Sequence, residues 1–346
     1  MAVTPPFQIG ETTIAPGTRK TVDLPVSVLS DHTPVTMSVH VVHGRRPGPT
    51  LFLSGAIHGD EIIGVEIIRR VLRTRLAGLR GTLLAVPIVN TFGFLNHSRY
   101  LPDRRDLNRS FPGSEGGSLA GRLAHLFLEE IVKRSDFGID FHSAAIHRTN
   151  LPQIRVCPSN DETMTMAHAF NAPVILRSGL REGSLRLAAQ KAGVDVLLFE
   201  AGEGLRFDEF AARAGVSGTL QVMQHLGMLP KRKSKKPRPT SIEARSSTWT
   251  RAPAGGLLRT FKTTGDQVTR GEVLGIVSDP FGEVEVEVKA DNSGLIVGRA
   301  NLPVVNEGDA LFHIARLSKG TDAEAMVDQH SDDLDADPLF DEDEII

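Results

Sequence analysis

Cysteine is almost absent from this 346-residue chain, where Cys157 stands alone. A single thiol excludes an internal disulfide and a thiolate-rich metal site, so any zinc must be held by histidine and carboxylate ligands. Long apolar runs are missing too: no stretch approaches the ~20 residues needed to cross a bilayer. The N-terminus, MAVTPPFQIG, lacks the basic region and apolar run of a secretory signal. These absences predict a cytoplasmic protein with no membrane contact. There is little excess charge, with 39 Lys and Arg against 42 Asp and Glu for a net −3, which argues against a general nucleic-acid binder. What charge asymmetry exists is local: Lys231–Arg238 (KRKSKKPR) is basic and the chain beyond Lys319 is acidic. With 40% apolar and 23% charged residues, the composition is that of a globular protein long enough for two domains.

The stretch Leu51–Leu72, LFLSGAIHGDEIIGVEIIRRVL, organises the rest. An apolar run enters a glycine-bounded polar turn carrying His58, Asp60 and Glu61, and a helix-period pattern (Ile62, Val65, Ile68, Val71, Leu72) follows at once. A buried strand handing over to a helix is where open α/β sheets place their sites. Upstream, Val35, Met37, Val39 and Val41 alternate with polar residues, the signature of a half-buried strand. Downstream, apolar strands are expected at Thr82–Val89, Phe137–Phe141 and Val194–Phe199, with helical patterns at Ser118–Lys133 and Glu182–Ala192. This strand–helix rhythm predicts an α/β domain over residues 1–230 with a mostly parallel sheet.

Polar groups with metal or acid–base chemistry follow these strands: His58 and Glu61, then Asn90, then His142, then Glu200. Parallel strands bring their C-terminal ends to one edge, so these groups can share a site despite their separation in sequence. The motifs are weak singly. Roughly one His-x-x-Glu pair is expected by chance in such a composition, and a lone histidine is as readily a hydrogen-bonded structural residue. Together, two histidines and a glutamate with a further carboxylate nearby form the ligand set of a catalytic zinc site with one open position. Between the strands lies Arg99–Gly113, RYLPDRRDLNRSFPG, with four arginines in eleven residues. Arginine's planar fork suits a substrate carboxylate. Asp140, two residues before His142, points to the same face of a strand and is a candidate partner for that imidazole, or a plain buried aspartate.

Residues 247–316 read differently, as short β-prone runs with a weak repeat: Ala252–Leu258 followed by Gly265-Asp266 is echoed by Ala290–Ile296 followed by Gly308-Asp309. A small β-sandwich or barrel is expected there. The segment resembles a biotinyl/lipoyl-type domain, but its hairpin, Asp279-Pro280-Phe281-Gly282-Glu283, has no lysine to carry a cofactor. A basic linker is expected over 231–246. The tail 317–346, with eleven acids and no Lys or Arg from Thr321 onward, is expected to be disordered unless a neighbour orders it.

GAIHGDE, RDLNRSFPG, DFHS and FEAGEG, in this order and at these separations, resemble the succinylglutamate desuccinylase/aspartoacylase family, which is similar to the zinc carboxypeptidases of the M14 clan. The resemblance implies a carboxypeptidase-like α/β fold and one Zn²⁺ per chain held by His58, Glu61 and His142. It implies that Glu200 is the general base and acid, and that Asn108 and Arg109 grip a substrate carboxylate. It further implies an arginine that polarises the scissile carbonyl; Arg99 is the better match, with Arg105 the alternative and a candidate substrate contact. Members can contribute a late substrate-facing tyrosine, whereas Tyr100 is the only tyrosine here. The implied activity is hydrolysis of a small anionic N-acyl amino acid or related acyl amide, without nucleic acid and with homo-oligomerisation left open. The alternatives are a metallocarboxypeptidase and a catalytically silent metal-binding relative.

Overall fold

The computed structural model describes residues 4–157, 161–231, 239–317, 321–337 and 339. Most of the basic stretch Lys231–Arg238 and the end of the acidic tail lie outside the described residues. The first half of the chain runs β1 (Phe7–Ile9), β2 (Thr12–Ile14), β3 (Arg19–Val28), β4 (Pro34–His43), β5 (Arg46–Ser54), α1 (Ile63–Arg73), β6 (Arg80–Val86) and α2 (Thr91–Leu95). It continues through α3 (Leu119–Glu130), β7 (Phe137–His142), β8 (Arg148–Val156), α4 (Asp161–Phe170), β9 (Val174–Arg177), α5 (Leu185–Lys191), β10 (Asp195–Gly202) and α6 (Glu209–His225). The remainder is β11 (Ile242–Ala244), β12 (Ser247–Arg251), β13 (Gly256–Thr260), β14 (Gln267–Val268), β15 (Val273–Ser278), β16 (Glu285–Lys289), β17 (Gly294–Ala300), β18 (Val304–Val305), β19 (Ala310–Ala315) and α7 (Ala323–Asp335).

Alternation along the strands decides which face each side chain covers. Leu51 and Leu53 of β5 face a core shared with Ile63 and Ile67 of α1 and Met223 of α6, while Phe52 between them faces a second core with Phe127 of α3 and Leu185 of α5. Both faces of the sheet are therefore covered, which is why its central strands read as continuous apolar runs. On β7, Ile139 and Phe141 enter the first core, so Asp140 and His142 are directed to the opposite face, where the site lies.

A single 13-stranded mixed sheet runs through the chain, its main path being β12-β19-β17-β8-β10-β7-β5-β6-β4-β3. The expected mostly parallel sheet is found at its centre, where β6, β5, β7 and β10 pair in parallel. Its flanks are antiparallel: β3–β4–β6 on one side and β10–β8–β17–β19–β12 on the other. The all-β segment after residue 247 thus extends the main sheet through β17 on β8, and packs its second sheet, β16-β15-β13-β18, over a core that includes Leu258, Val277, Phe312 and Ile314.

Two segments outside the expected domains carry regular structure. Part of the linker 231–246 is strand β11, paired in parallel with β9, because Ile242 and Ala244 alternate with exposed Glu243 and bury. The acidic tail is helical over Ala323–Asp335, capped by Asp322, because its few apolar residues recur at helical spacing: Ala323 and Val327 pack with Ile242 and Leu295. Its acids occupy the outer face. Among the described residues, no helix is long and apolar enough to cross a membrane.

Candidate metal centre and catalytic carboxylate

The turn after β5 is held from below by backbone bonds from Val89 N to Gly55 O and from Asn90 N to Ala56 O. Asn90 itself caps α2, accepting from Gly93 N, and contributes no metal ligand. Gly59 is required by close approach: a Cβ there would stand 1.9 Å from the carbonyl carbon of Gly93. So tight a seat fixes His58 and Glu61, which are 3% and 2% exposed.

His58, Glu61 and His142 bring one ligand atom each to within 4.8 Å of one another. Glu61 is the bridge, with its Oε1 2.8 Å from His58 Nδ1 and its Oε2 2.6 Å from His142 Nδ1. The outer nitrogens are also held: His58 Nε2 lies 3.0 Å from Asp106 Oδ1 and His142 Nε2 lies 2.9 Å from Asp140 Oδ2. Ser54 donates to the other oxygen of Asp140 at 2.8 Å. A carboxylate on Nε2 keeps a proton there and leaves the Nδ1 lone pair for a cation. Two inward Nδ1 atoms and a buried carboxylate are a nitrogen and oxygen donor set suited to Zn²⁺.

Electrostatics agree with that fit. Burial pushes the Glu61 carboxyl up, but His58 and His142 outweigh it and hold it well below the usual carboxylate range. Burial disfavours protonated His142, yet the Asp140 and Glu61 carboxylates raise it well above the ordinary histidine value. His58 behaves alike, through Glu61 and Asp106. The cavity thus places strong negative charge around two imidazoles, a field that a divalent cation satisfies in place of protons.

Arg99 reaches this centre. Its Nη1 donates to Glu61 Oε1 at 3.0 Å, and Nε and Nη2 donate to Asp106 Oδ2 at 3.2 and 3.0 Å. Arg105 does not: the chain reverses at Arg104, whose φ is 63°, and the Arg105 guanidinium is 62% exposed and 3.8 Å from Asp103. Of the two arginines, only Arg99 is thus in contact with the ligand Glu61. Asn108 lies in a 3₁₀ turn, donates its backbone N–H to Asp106 and accepts from Leu185 N at 2.9 Å, tying this loop to α5. Arg109 is exposed beside it. Tyr100 is 50% exposed next to Arg99.

Glu200 is the register partner of His142 on the adjacent parallel strand, so the two side chains leave the sheet on the same face. Asn150 Nδ2 donates to Glu200 Oε2 at 2.8 Å, and Arg155 Nη1 lies 3.1 Å from Oε1. Arg186 of α5 is the second guanidinium near this carboxylate; burial pushes its pKa down while Glu200 opposes that. It donates to Arg155 O and Ser178 Oγ, both at 3.3 Å. Asp106, Asn150, Arg155 and Arg186 are neighbours of His58 or Glu200 that motif reading passes over. Asp106 had a usable signal, an acid at the heart of an arginine-rich loop. Asn150 and Arg155 had none, because a bulge in the β8–β10 pairing brings residues of opposite sequence parity to one carboxylate.

Asp60, between the two ligands, is 5% exposed, and its Oδ1 has no hydrogen-bond partner among the described residues. Burial, with Glu61 beside it, pushes this carboxyl up.

Known proteins resemble the chain in both sequence and fold. An N-alpha-acetyl-L-2,4-diaminobutyric acid deacetylase from Halomonas elongata is 28% identical over 286 residues, covering 79% of this chain and 84% of that protein. The crystal structure of a succinylglutamate desuccinylase from Silicibacter sp. TM1040 superposes with a TM-score of 0.79 at 25% identity, covering 91% of this chain and 98% of that one. The product-bound structure of the ectoine utilization protein EutE from Ruegeria pomeroyi shares the fold at a TM-score of 0.77 and 24% identity, over 90% and 98% of the two chains. The family model of the succinylglutamate desuccinylase/aspartoacylase catalytic domain matches residues 47–226. On its fold, its metal-type donor set and this match, the chain belongs to the succinylglutamate desuccinylase/aspartoacylase family.

Proposed function

We propose that this protein is a zinc-dependent amidohydrolase that cleaves the amide bond of a small N-acyl amino acid. The observation that carries the reading is the buried His58–Glu61–His142 set with Glu200 on the same face of the neighbouring strand. The deacetylase named for the relative supports the substrate class. His58, Glu61 and His142 would hold a divalent cation, which would supply Lewis acidity towards an acyl carbonyl and would lower the pKa of a water to about 7.

Around that cation, each protein group has a defined task. Glu200, free of the metal, accepts the proton of the attacking water and returns it to the departing nitrogen, so that one amide and one water become a carboxylic acid and an amine. Arg99, whose Nη1 donates to the ligand Glu61, supplies the positive charge that would stabilise the carbonyl oxygen as it becomes negative. Arg109 and Asn108 face the substrate carboxylate, with Arg109's exposed guanidinium as the bidentate partner. Asp106 and Asp140 hold the two histidines in their ligating orientation. The C-terminal β segment serves as part of the structure and not as a cofactor arm: Phe281 at its hairpin tip is 84% exposed and no lysine stands there.

The test is release of free amine from a panel of N-acyl amino acids, including N-alpha-acetyl-L-2,4-diaminobutyric acid, and short peptides, with and without a chelator. Chelator-sensitive turnover of the acyl amino acids supports the proposal. Turnover of peptide C-termini alone would favour a carboxypeptidase, and metal binding without turnover of any compound would favour a silent relative.

A further inference from the structure

The two groups that hold Glu200 are themselves held by β17, a strand of the C-terminal segment. Asn150 is 7% exposed, and its amide donates to Glu200 Oε2. Its register partner on β17 is Gly298, where a Cβ would stand 2.6 Å from Asn150 Oδ1. On the other oxygen, Arg155 Nε donates to Gln153 Oε1 at 3.3 Å, and the fully buried Gln153 donates its Nε2 to Val297 O at 3.0 Å and to Leu151 O at 3.1 Å. Of two consecutive residues of one strand, Gly298 thus abuts Asn150, which grips one oxygen of Glu200, and Val297 reaches Arg155, on the other oxygen, through Gln153. β17 pairs with β8 through Gly298, Arg299 and Ala300 opposite Asn150, Thr149 and Arg148, so this pairing starts at the residue that donates to the carboxylate.

We infer that Asn150 and Arg155 are positioning residues that fix the Glu200 carboxylate, and that β17 sets the clamp through Gly298 and Val297, which makes the C-terminal segment part of the catalytic apparatus. The inference rests on Glu200 being the proton-transferring group. Its physical basis is that a two-point grip leaves the carboxylate one orientation, whereas loss of either point lets it rotate, and misplacement by about 1 Å costs on the order of a hundredfold in rate. Glycine at 298 is what space requires: the nearest atom is the short amide of Asn150, and the next, Thr149 O, is at 3.3 Å. A methyl group there displaces the amide before it strains the sheet.

Gly298→Ala and Asn150→Ala are compared with wild type on the best-turned-over compound of the panel, with Glu200→Gln as the floor. Each is expected to lower kcat about tenfold or more with KM changed by less than about twofold. Zinc content and melting temperature should stay near wild type for Gly298→Ala. The double variant should lose no more than either single one, because both remove the same bond. A crystal structure of Gly298→Ala should show Asn150 Nδ2 beyond hydrogen-bond reach of Glu200 Oε2. Wild-type kcat in both single variants, multiplying losses in the double variant, or an intact Asn150–Glu200 bond in the Gly298→Ala crystal would overturn the inference. Full activity of Glu200→Gln would instead sink the assignment of the base; the crystal structure would still decide whether β17 clamps the carboxylate.

Discussion

Asp140 is the place where the proposed metal centre can be perturbed without touching a ligand. It is fully buried, with one oxygen 2.9 Å from His142 Nε2 and the other accepting from Ser54 Oγ at 2.8 Å. Asp140→Ala removes the acceptor that keeps the His142 proton on Nε2 and its lone pair on Nδ1, and it leaves the Ser54 hydroxyl unpaired. Loss of such an outer partner typically weakens metal binding 10- to 100-fold, about 1.4–2.7 kcal/mol. Asp140→Asn should lie between, since its carbonyl still accepts from His142 while its negative charge is gone. The assay is zinc titration against a competing chelator at fixed pH, with melting temperatures of the metal-free proteins measured alongside. The expected order of affinity is wild type, then Asn, then Ala. An alanine variant that binds zinc as tightly as wild type would refute the view that Asp140 orients the ligand.

Arg99→Ala should lower kcat/KM by about a hundredfold, as removal of one charge-stabilising donor typically does, whereas Arg105→Ala should stay within about threefold; steady-state kinetics of the pair checks the choice between them. Gly59→Ala should destabilise the fold by roughly 3 kcal/mol or more, because its Cβ would meet the Gly93 backbone at 1.9 Å; a melting temperature near wild type would contradict this. His313, with its imidazole stacked on Trp249, has its pKa pushed down to about 3, first by burial and then by Arg155. Its depressed value makes the stability contribution full above the unfolded-state value near 6.5 and lost as pH falls towards 3, at about 1.4 kcal/mol per pH unit. Denaturant titrations at pH 7 and pH 5 should therefore show a loss of about 2 kcal/mol that His313→Phe diminishes.

Strand ends were the most legible feature of the sequence, because a central parallel strand buried on both faces is a continuous apolar run whose first polar residue marks the edge of the sheet. Glu200 is such a residue, His142 closes its strand, and His58 and Glu61 lie in the turn just beyond theirs; the structure gathers His58, Glu61 and His142 into one donor set with Glu200 on the adjoining strand. The neighbours of Glu200 were not legible for a local geometric reason: the bulge between β8 and β10 breaks the two-residue alternation on which strand reading depends. That Arg99 and not Arg105 contacts Glu61 goes with one left-handed residue, Arg104, which composition does not announce. Likewise, the period of short β runs marked out residues 247–316, but nothing local said that β17 would join the main sheet beside Asn150. The helix in the acidic tail was hidden by its charge, since only Ala323, Val327 and His330 are buried in it and their spacing carries the signal.

The most direct test of the account compares wild type with Glu200→Gln, both loaded with zinc, in single-turnover release of amine from N-alpha-acetyl-L-2,4-diaminobutyric acid and the other N-acyl amino acids of the panel. The account predicts that the variant holds as much zinc as wild type, one ion per chain, and loses about a hundred- to ten-thousandfold in rate. Near wild-type turnover by a zinc-loaded Glu200→Gln protein would contradict it.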